Sequence, residues 1–344
     1  MTVITCKPAA HHSENVMTTP QPEDNQVVAA YGRNYARFSL EHKIHCVPVD
    51  DDEEQNYDSV NDILRQLLGG PVRGVILPRM RLNRDAEVLD CGYGKGAWID
   101  SVLNLAPDAL CTGVDIFTGV GDHEVDNDDD DEANKDEAES GIEIFTKKRW
   151  NLNAPFRDDR SEDRLTPLTF DLINSRLLAD GIDSTRWPSF VRDLHALLKP
   201  DGWVQMVEFH SMFQSSTGRP TVFLQEWWNR YARMLQVTRK DPRVGPRLRQ
   251  LMDDAGFVDI QYHQIPCPMG SWDEDRAVLG RQALPVCQEM LRDVSEYLFK
   301  AVGRMNDSEF DTLIKGAQAE LARPELRIYL NVHVCIGRKA PRRK

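Results

Sequence analysis

The stretch from Ala86 to Val102, AEVLDCGYGKGAWIDSV, constrains the fold more than any other. An apolar run of strand length enters a loop with glycines at 92, 94 and 96, then continues as a helical pattern. Glycines so spaced let backbone pass close to a ligand at a strand end, where N–H groups and a helix N-terminus face it. Two cofactors suit such a loop. As G-x-G-x-x-A it matches a dinucleotide cradle, and as D-x-G-x-G-x-G it matches a loop for S-adenosylmethionine. Asp90, two residues before the first glycine, favours the second. A carboxylate there repels a pyrophosphate and attracts the ammonium of a methionine moiety. Asp115, 23 residues after Gly92, suits ribose hydroxyls in either case.

Strands and helices alternate on both sides of this loop. DSVNDILRQLLGG reads as a helix stopped by Gly69-Gly70. ALCTGVDIF, GIEIFTKKRW, TFDLINSRLL and WVQMVEFHS read as further strands, the last following the helix SFVRDLHALLKPDG. Near-continuous apolar strands imply a mostly parallel sheet buried on both faces. Later segments are mainly helical, apart from a strand after Gly256. The terminal LRIYLNVHVCIGRK alternates with period two, as an antiparallel edge strand would. The expected organisation is a disordered tail over 1–26, an N-terminal helical cap over 27–85 and a catalytic domain over 86–339. Helical insertions are expected at about 212–250 and 273–322.

The net charge of −13 is mostly local. The tract 122–139, DHEVDNDDDDEANKDEAE, contains eleven acidic residues and one lysine, leaving the remainder close to neutral. It reads as a solvated loop, with a protein-docking role as the alternative. The acidic balance argues against nucleic acid as substrate. No apolar run reaches membrane-spanning length. Seven cysteines without paired spacing point away from zinc and disulfides, towards a reducing, cytoplasmic setting.

Five stretches in order, VLDCGYGKGAWIDSV, FDLINSRLLADGI, WPSFVRDLHALLKPDGWVQMVEF, GPRLRQLMDDAGFVDI and the closing GRK, together with GRNYARF upstream, resemble the fungal LaeA-like methyltransferases of secondary metabolism. The resemblance covers roughly residues 30 to 339. It implies a class I, Rossmann-like α/β fold with a seven-stranded sheet, mostly parallel, an antiparallel last strand and helical lids. The implied cofactor is S-adenosyl-L-methionine, and no metal is expected. The implied activity is methylation of a hydroxyl, carboxyl or amine on a small natural product. A regulatory protein acting through partners, nuclear in that case, is the alternative. A dinucleotide-dependent enzyme is the second alternative.

On that resemblance Asp90, Gly92, Tyr93, Gly94 and Gly96 line the methionine end, and Asp115 with Ile116 holds the ribose. Arg33 and Tyr35 fold over the cofactor, with Arg33 directed at the methionine carboxylate. The family's usual acidic adenine ligand after the third strand is absent, so Trp150 or Asn151 is expected to substitute. Asn174 and Ser175 sit near the reacting methyl, with Arg176 on the substrate side. Glu208 and His210, at the end of the fifth strand, are the candidate bases. Trp227, Trp228 and Tyr231 are the candidate substrate wall.

Overall fold

The computed structural model describes residues 25–72, 85–119, 145–156 and 164–342. The acidic tract 122–139 and nearly all of the expected tail lie outside them.

The chain enters through a hairpin, β1 (Val27–Ala30) and β2 (Arg33–Ala36). Tyr31 and Gly32 both take positive φ, 51° and 80°, the requirement of a tight two-residue hairpin turn. The cap was expected to be helical throughout, and this is its first departure. Short helix α1 (Arg37–His42) follows, then α2 (Asp51–Leu68). The Asp50 side chain caps α2 by accepting from Glu53 N–H, four acidic residues fill the first turn, and Gly69 closes it with a left-handed φ of 76°. Val60, Ile63, Leu64 and Leu68 form its buried face.

The remaining elements are β3 (Glu87–Cys91), α3 (Ala97–Leu103), β4 (Leu110–Asp115), β5 (Thr146–Arg149), β6 (Phe170–Arg176), α4 (Trp187–Leu197) and β7 (Leu198–Ser215). After them come α5 (Val222–Val237), α6 (Leu248–Ala255), β8 (Val258–Pro268), α7 (Ala277–Asp293), α8 (Asp307–Leu321) and β9 (Ile328–Arg338). Seven strands form one sheet in the order β5-β4-β3-β6-β7-β9-β8. The first five run parallel, and β9 is antiparallel to both β7 and β8. This is the class I, Rossmann-like arrangement expected from the sequence. The order reverses at β3, so the ends of β3, β4 and β6 open a crevice there.

One strand differs from its sequence pattern. β9 is not an edge; it lies between β7 and β8 and is buried almost throughout. Its polar side chains lie inside the sheet layers: Tyr262 Oη is 2.6 Å from His333 Nδ1, and Tyr329 Oη donates to Gln214 Oε1. Period two here marks polar residues within the layers, so it does not mark a solvated face.

Candidate active site

Two adjoining cavities sit over the C-terminal ends of the parallel strands. The larger, of about 180 Å³, is lined by Asp90, Gly92, Tyr93 and Gly94 from the glycine loop, Asp115 and Ile116 after β4, Asn151 after β5, and Arg176 at the end of β6. The cap closes it with His45, Asp50, Glu53 and Tyr57. The smaller, of about 80 Å³, shares Glu53, Tyr57, Val60, Leu177 and Asp180 with the first and adds Glu208, Tyr231, Leu235 and Met290.

Asp90 is the best-supported group in the larger cavity. Its Oδ1 accepts from Asn174 Nδ2 at 2.8 Å. Gln205 Nε2 then donates to Asn174 Oδ1 and to Pro71 O, both at 3.1 Å, so a polar chain crosses β3, β6 and β7. Burial pushes the Asp90 carboxyl up to about 7, opposed by the Arg176 guanidinium and the Asn174 bond. Burial draws Arg176 down to about 10, with Asp90 opposing. Arg176 Nη1 donates to Asn61 Oδ1. The cavity thus presents an anion and a cation side by side, the complement of an amino-acid zwitterion.

The loop above them is fixed by its glycines. Gly92, Gly94 and Gly96 have φ of 73°, 58° and 99°, values that side chains adopt at a cost. Asp115 holds this turn from the next strand: its carboxylate accepts from Gly94 N–H at 3.0 Å and from Ile116 N–H at 2.7 Å. Gly96 caps α3 rather than lining the cavity.

The turn after β6 is pinned equally firmly. Glu208 is fully buried, and its two carboxylate oxygens accept from Leu178 N–H at 2.9 Å and Ala179 N–H at 3.1 Å. Burial raises this carboxyl to about 8 despite both bonds. Asn153 bonds Gly181 O and Asp183 N–H, and Lys240 Nζ meets Asp183 at 2.5 Å. Asp180 is thereby held against the cap, its Oδ2 3.5 Å from His45 Nδ1. Burial lowers the His45 imidazole, but the Asp180 carboxylate outweighs it and the net shift is upward. His45 Nε2 faces Tyr57 Oη at 3.5 Å.

Several expected site residues lie elsewhere. Arg33 is committed to structure: its guanidinium bonds Asp50 through Nε and Nη2 and Asp293 through Nη1, at 2.6–2.7 Å. It lines neither cavity; Arg176, expected on the substrate side, lines the larger one beside Asp90. Tyr35 is fully buried with its ring 5.6 Å from Tyr297. Trp150 is buried against Phe156, leaving Asn151 as the lining residue. Asn174 and Ser175 sit within the sheet, and Asn174 acts through Asp90. His210 packs edge-on against Trp228 and beside His333, away from both cavities. Trp227 bonds Leu291 O and Ser295 Oγ, tying α5 to the chain around the end of α7. Of that aromatic face only Tyr231 reaches a cavity.

Sequence reasoning missed His45, Tyr57 and Asp180. Asp180 belongs to the quoted stretch LLADGI, but nothing local marks His45 or Tyr57. They reach the site only because α2 folds back over the crevice.

Comparison with known proteins identifies the family. The Methyltransferase domain family model matches residues 70–262. Secondary metabolism regulator LAE1 of Cochliobolus heterostrophus is 23% identical over 332 residues, covering 93% of this chain and 97% of that protein. Methyltransferase pytC of Aspergillus terreus is 21% identical over 361 residues, covering 98% and 99%. Among solved structures, Haemonchus contortus phosphoethanolamine N-methyltransferase 2 in complex with S-adenosyl-L-methionine is similar with a TM-score of 0.43 and 15% identity, covering 85% of this chain and 59% of that one. The family match spans more than half of the chain and includes the glycine loop, Asp115, Arg176 and Glu208, so this chain belongs to the methyltransferase domain family and is a methyltransferase.

Proposed function

We propose that the protein transfers the methyl group of S-adenosylmethionine to a small, partly apolar acceptor seated in the smaller cavity. The observation that carries this reading is the pairing of Asp90 and Arg176 on the lining of the larger cavity beside Gly92. Asp90 would hold the ammonium of the methionine moiety, Arg176 its carboxylate and Asp115 the ribose hydroxyls, with Asn151 near the adenine. The bound sulfonium supplies an activated methyl group, so the protein's part is to hold the acceptor in line, exclude water and receive a proton. The cap supplies the water exclusion, because Tyr57 and Glu53 line both cavities and His45 lines the larger one. An aspartate at that position is adverse to pyrophosphate, which weighs against the dinucleotide alternative.

The test is calorimetry with S-adenosylhomocysteine and, separately, NAD(H). Only the first should bind, and Asp115→Ala should weaken it about tenfold or more, the worth of a charged hydrogen bond. No binding of S-adenosylhomocysteine by the wild type sinks the reading.

A second reading, control of secondary metabolism through a protein partner, is favoured by the names of several relatives, among them LAE1. Removing residues 122–139 separates the two. Loss of a partner with unchanged turnover supports regulation, and an unchanged partner profile removes the docking role.

A further inference from the structure

The smaller cavity has an unusual lining for a site that accepts a neutral molecule. Its polar side chains include three carboxyl groups, Glu53, Asp180 and Glu208, and among the described residues no lysine, arginine or histidine lines it. Asn56 and Ser211 are also polar, and the remaining wall is apolar or aromatic, with Val60, Leu235, Met290 and Tyr231. Glu53 is 4% exposed, and its carboxyl is hydrogen-bonded to that of Asp293. The Arg33 guanidinium, 3.8 Å from its Oε2, is already bonded to Asp50.

We propose that the smaller cavity takes an amine, a partly apolar molecule that arrives as an ammonium ion and is held by Asp180, Glu208 and Glu53. The proposal rests on the methyl-transfer reading and names its substrate class. Among the described residues the wall offers a carboxylate acceptor no cation, and an alcohol cannot draw the raised Glu208 and Glu53 carboxyls into ionising as an ammonium does. A metal ion is the other cation to weigh, but no group of three His, Cys, Asp or Glu among the described residues is arranged to hold one. An organic ammonium with an apolar body matches both halves of the wall. Burial holds Glu208 and Glu53 above the ordinary carboxyl range, with Asp293 also raising Glu53, as expected of carboxyls poised to ionise against a cation.

The chemistry balances. The ammonium gives one proton to the Asp180 carboxylate, and the freed lone pair forms the N–C bond as the C–S bond breaks with its electrons left on sulfur. The products are the N-methylated ammonium, a neutral thioether and the proton on Asp180. His45, 3.5 Å from Asp180 and partly exposed, is the route by which that proton leaves.

The test uses the full chain and three probes of similar shape, phenethylamine, phenethyl alcohol and phenylacetate, titrated with and without S-adenosylhomocysteine. The amine should bind at least tenfold tighter than the alcohol, and phenylacetate should not bind. Asp180→Asn and Glu208→Gln should each reduce the amine-to-alcohol ratio about tenfold. A ratio cancels any general loss from a poorly folded variant. Equal binding of amine and alcohol, absence of amine binding, or a ratio unchanged in both variants overturns the proposal. Failure of S-adenosylhomocysteine alone to bind would instead overturn the methyl-donor reading, because the ratio is also measured without it.

Discussion

At the scale of single residues, the site is built by groups that do not touch ligand. Gly113 in β4 shows this. A Cβ there would lie 2.6 Å from Tyr93 Cδ1 and 2.8 Å from Phe145 Cε2, two rings with little freedom to yield. Gly113→Ala should cost about 1–3 kcal/mol by overpacking, measured by urea denaturation. It should also weaken S-adenosylhomocysteine binding, because Tyr93 lines the larger cavity and has to move. Asp90, Gly92, Gly94 and Asp115, each at a fixed offset from a strand end, line the cavity at the glycine loop as the sequence led us to expect, whereas Gly96 caps α3. Arg33 was legible as a motif and misread as a ligand. Its partners, Asp50 and Asp293, are 17 and 260 positions away, and nothing local signals the second. His45 and Tyr57 were invisible for the same reason.

At the scale of elements, Arg33 clasps the cap to the inserted helices, as Arg176 at the end of β6 ties α2 through Asn61. Arg33 of β2 joins Asp50 at the start of α2 to Asp293 at the end of α7. All these groups are largely buried, so removing the cation leaves carboxylates unpaired. Arg33→Ala should destabilise by about 3 kcal/mol or more in chemical denaturation. Proteolysis should then cut first within the cap, between residues 27 and 68, if the clasp holds that unit down. Uniform loss of protection would show the clasp to be dispensable. Trp227→Phe removes two hydrogen bonds from the buried α5 contact. It should lower stability by about 1–3 kcal/mol while leaving S-adenosylhomocysteine affinity unchanged, since Trp227 lines neither cavity. The parallel strands were legible from their apolar runs. The interior position of β9 was not, because alternation marks polar positions without saying whether a partner covers them.

At the scale of the whole molecule, three buried carboxyls set the response to pH. Asp90 is raised to about 7, Glu208 to about 8 and Glu53 to about 9, in each case chiefly by burial. Between the ordinary carboxyl range and these values the folded chain holds more protons at these groups than the unfolded one. These carboxyls make stability fall as pH rises; below about 6.5 His195, His210 and His333, lowered chiefly by burial, act the other way, so the net fall is read between about 7 and 9. The raised His45 acts in the same direction as the carboxyls, and Asp50, lowered to about 2 mainly by its Arg33 bond, matters only in acid. The ligand-free protein should have a lower urea midpoint at about pH 9 than at about pH 7, with a shallower decline in Glu208→Gln. A midpoint rising over this range would refute the assignment.

The Leu178 turn carries one more consequence. Its backbone N–H is held by Glu208 from the smaller cavity, and a Cβ on Gly92 would meet its side chain at 2.5 Å in the larger one. On the methyl-transfer proposal, a donor in the larger cavity and an acceptor in the smaller would both lie against this one turn. By reciprocity, whatever factor the donor added to acceptor affinity the acceptor would return to the donor.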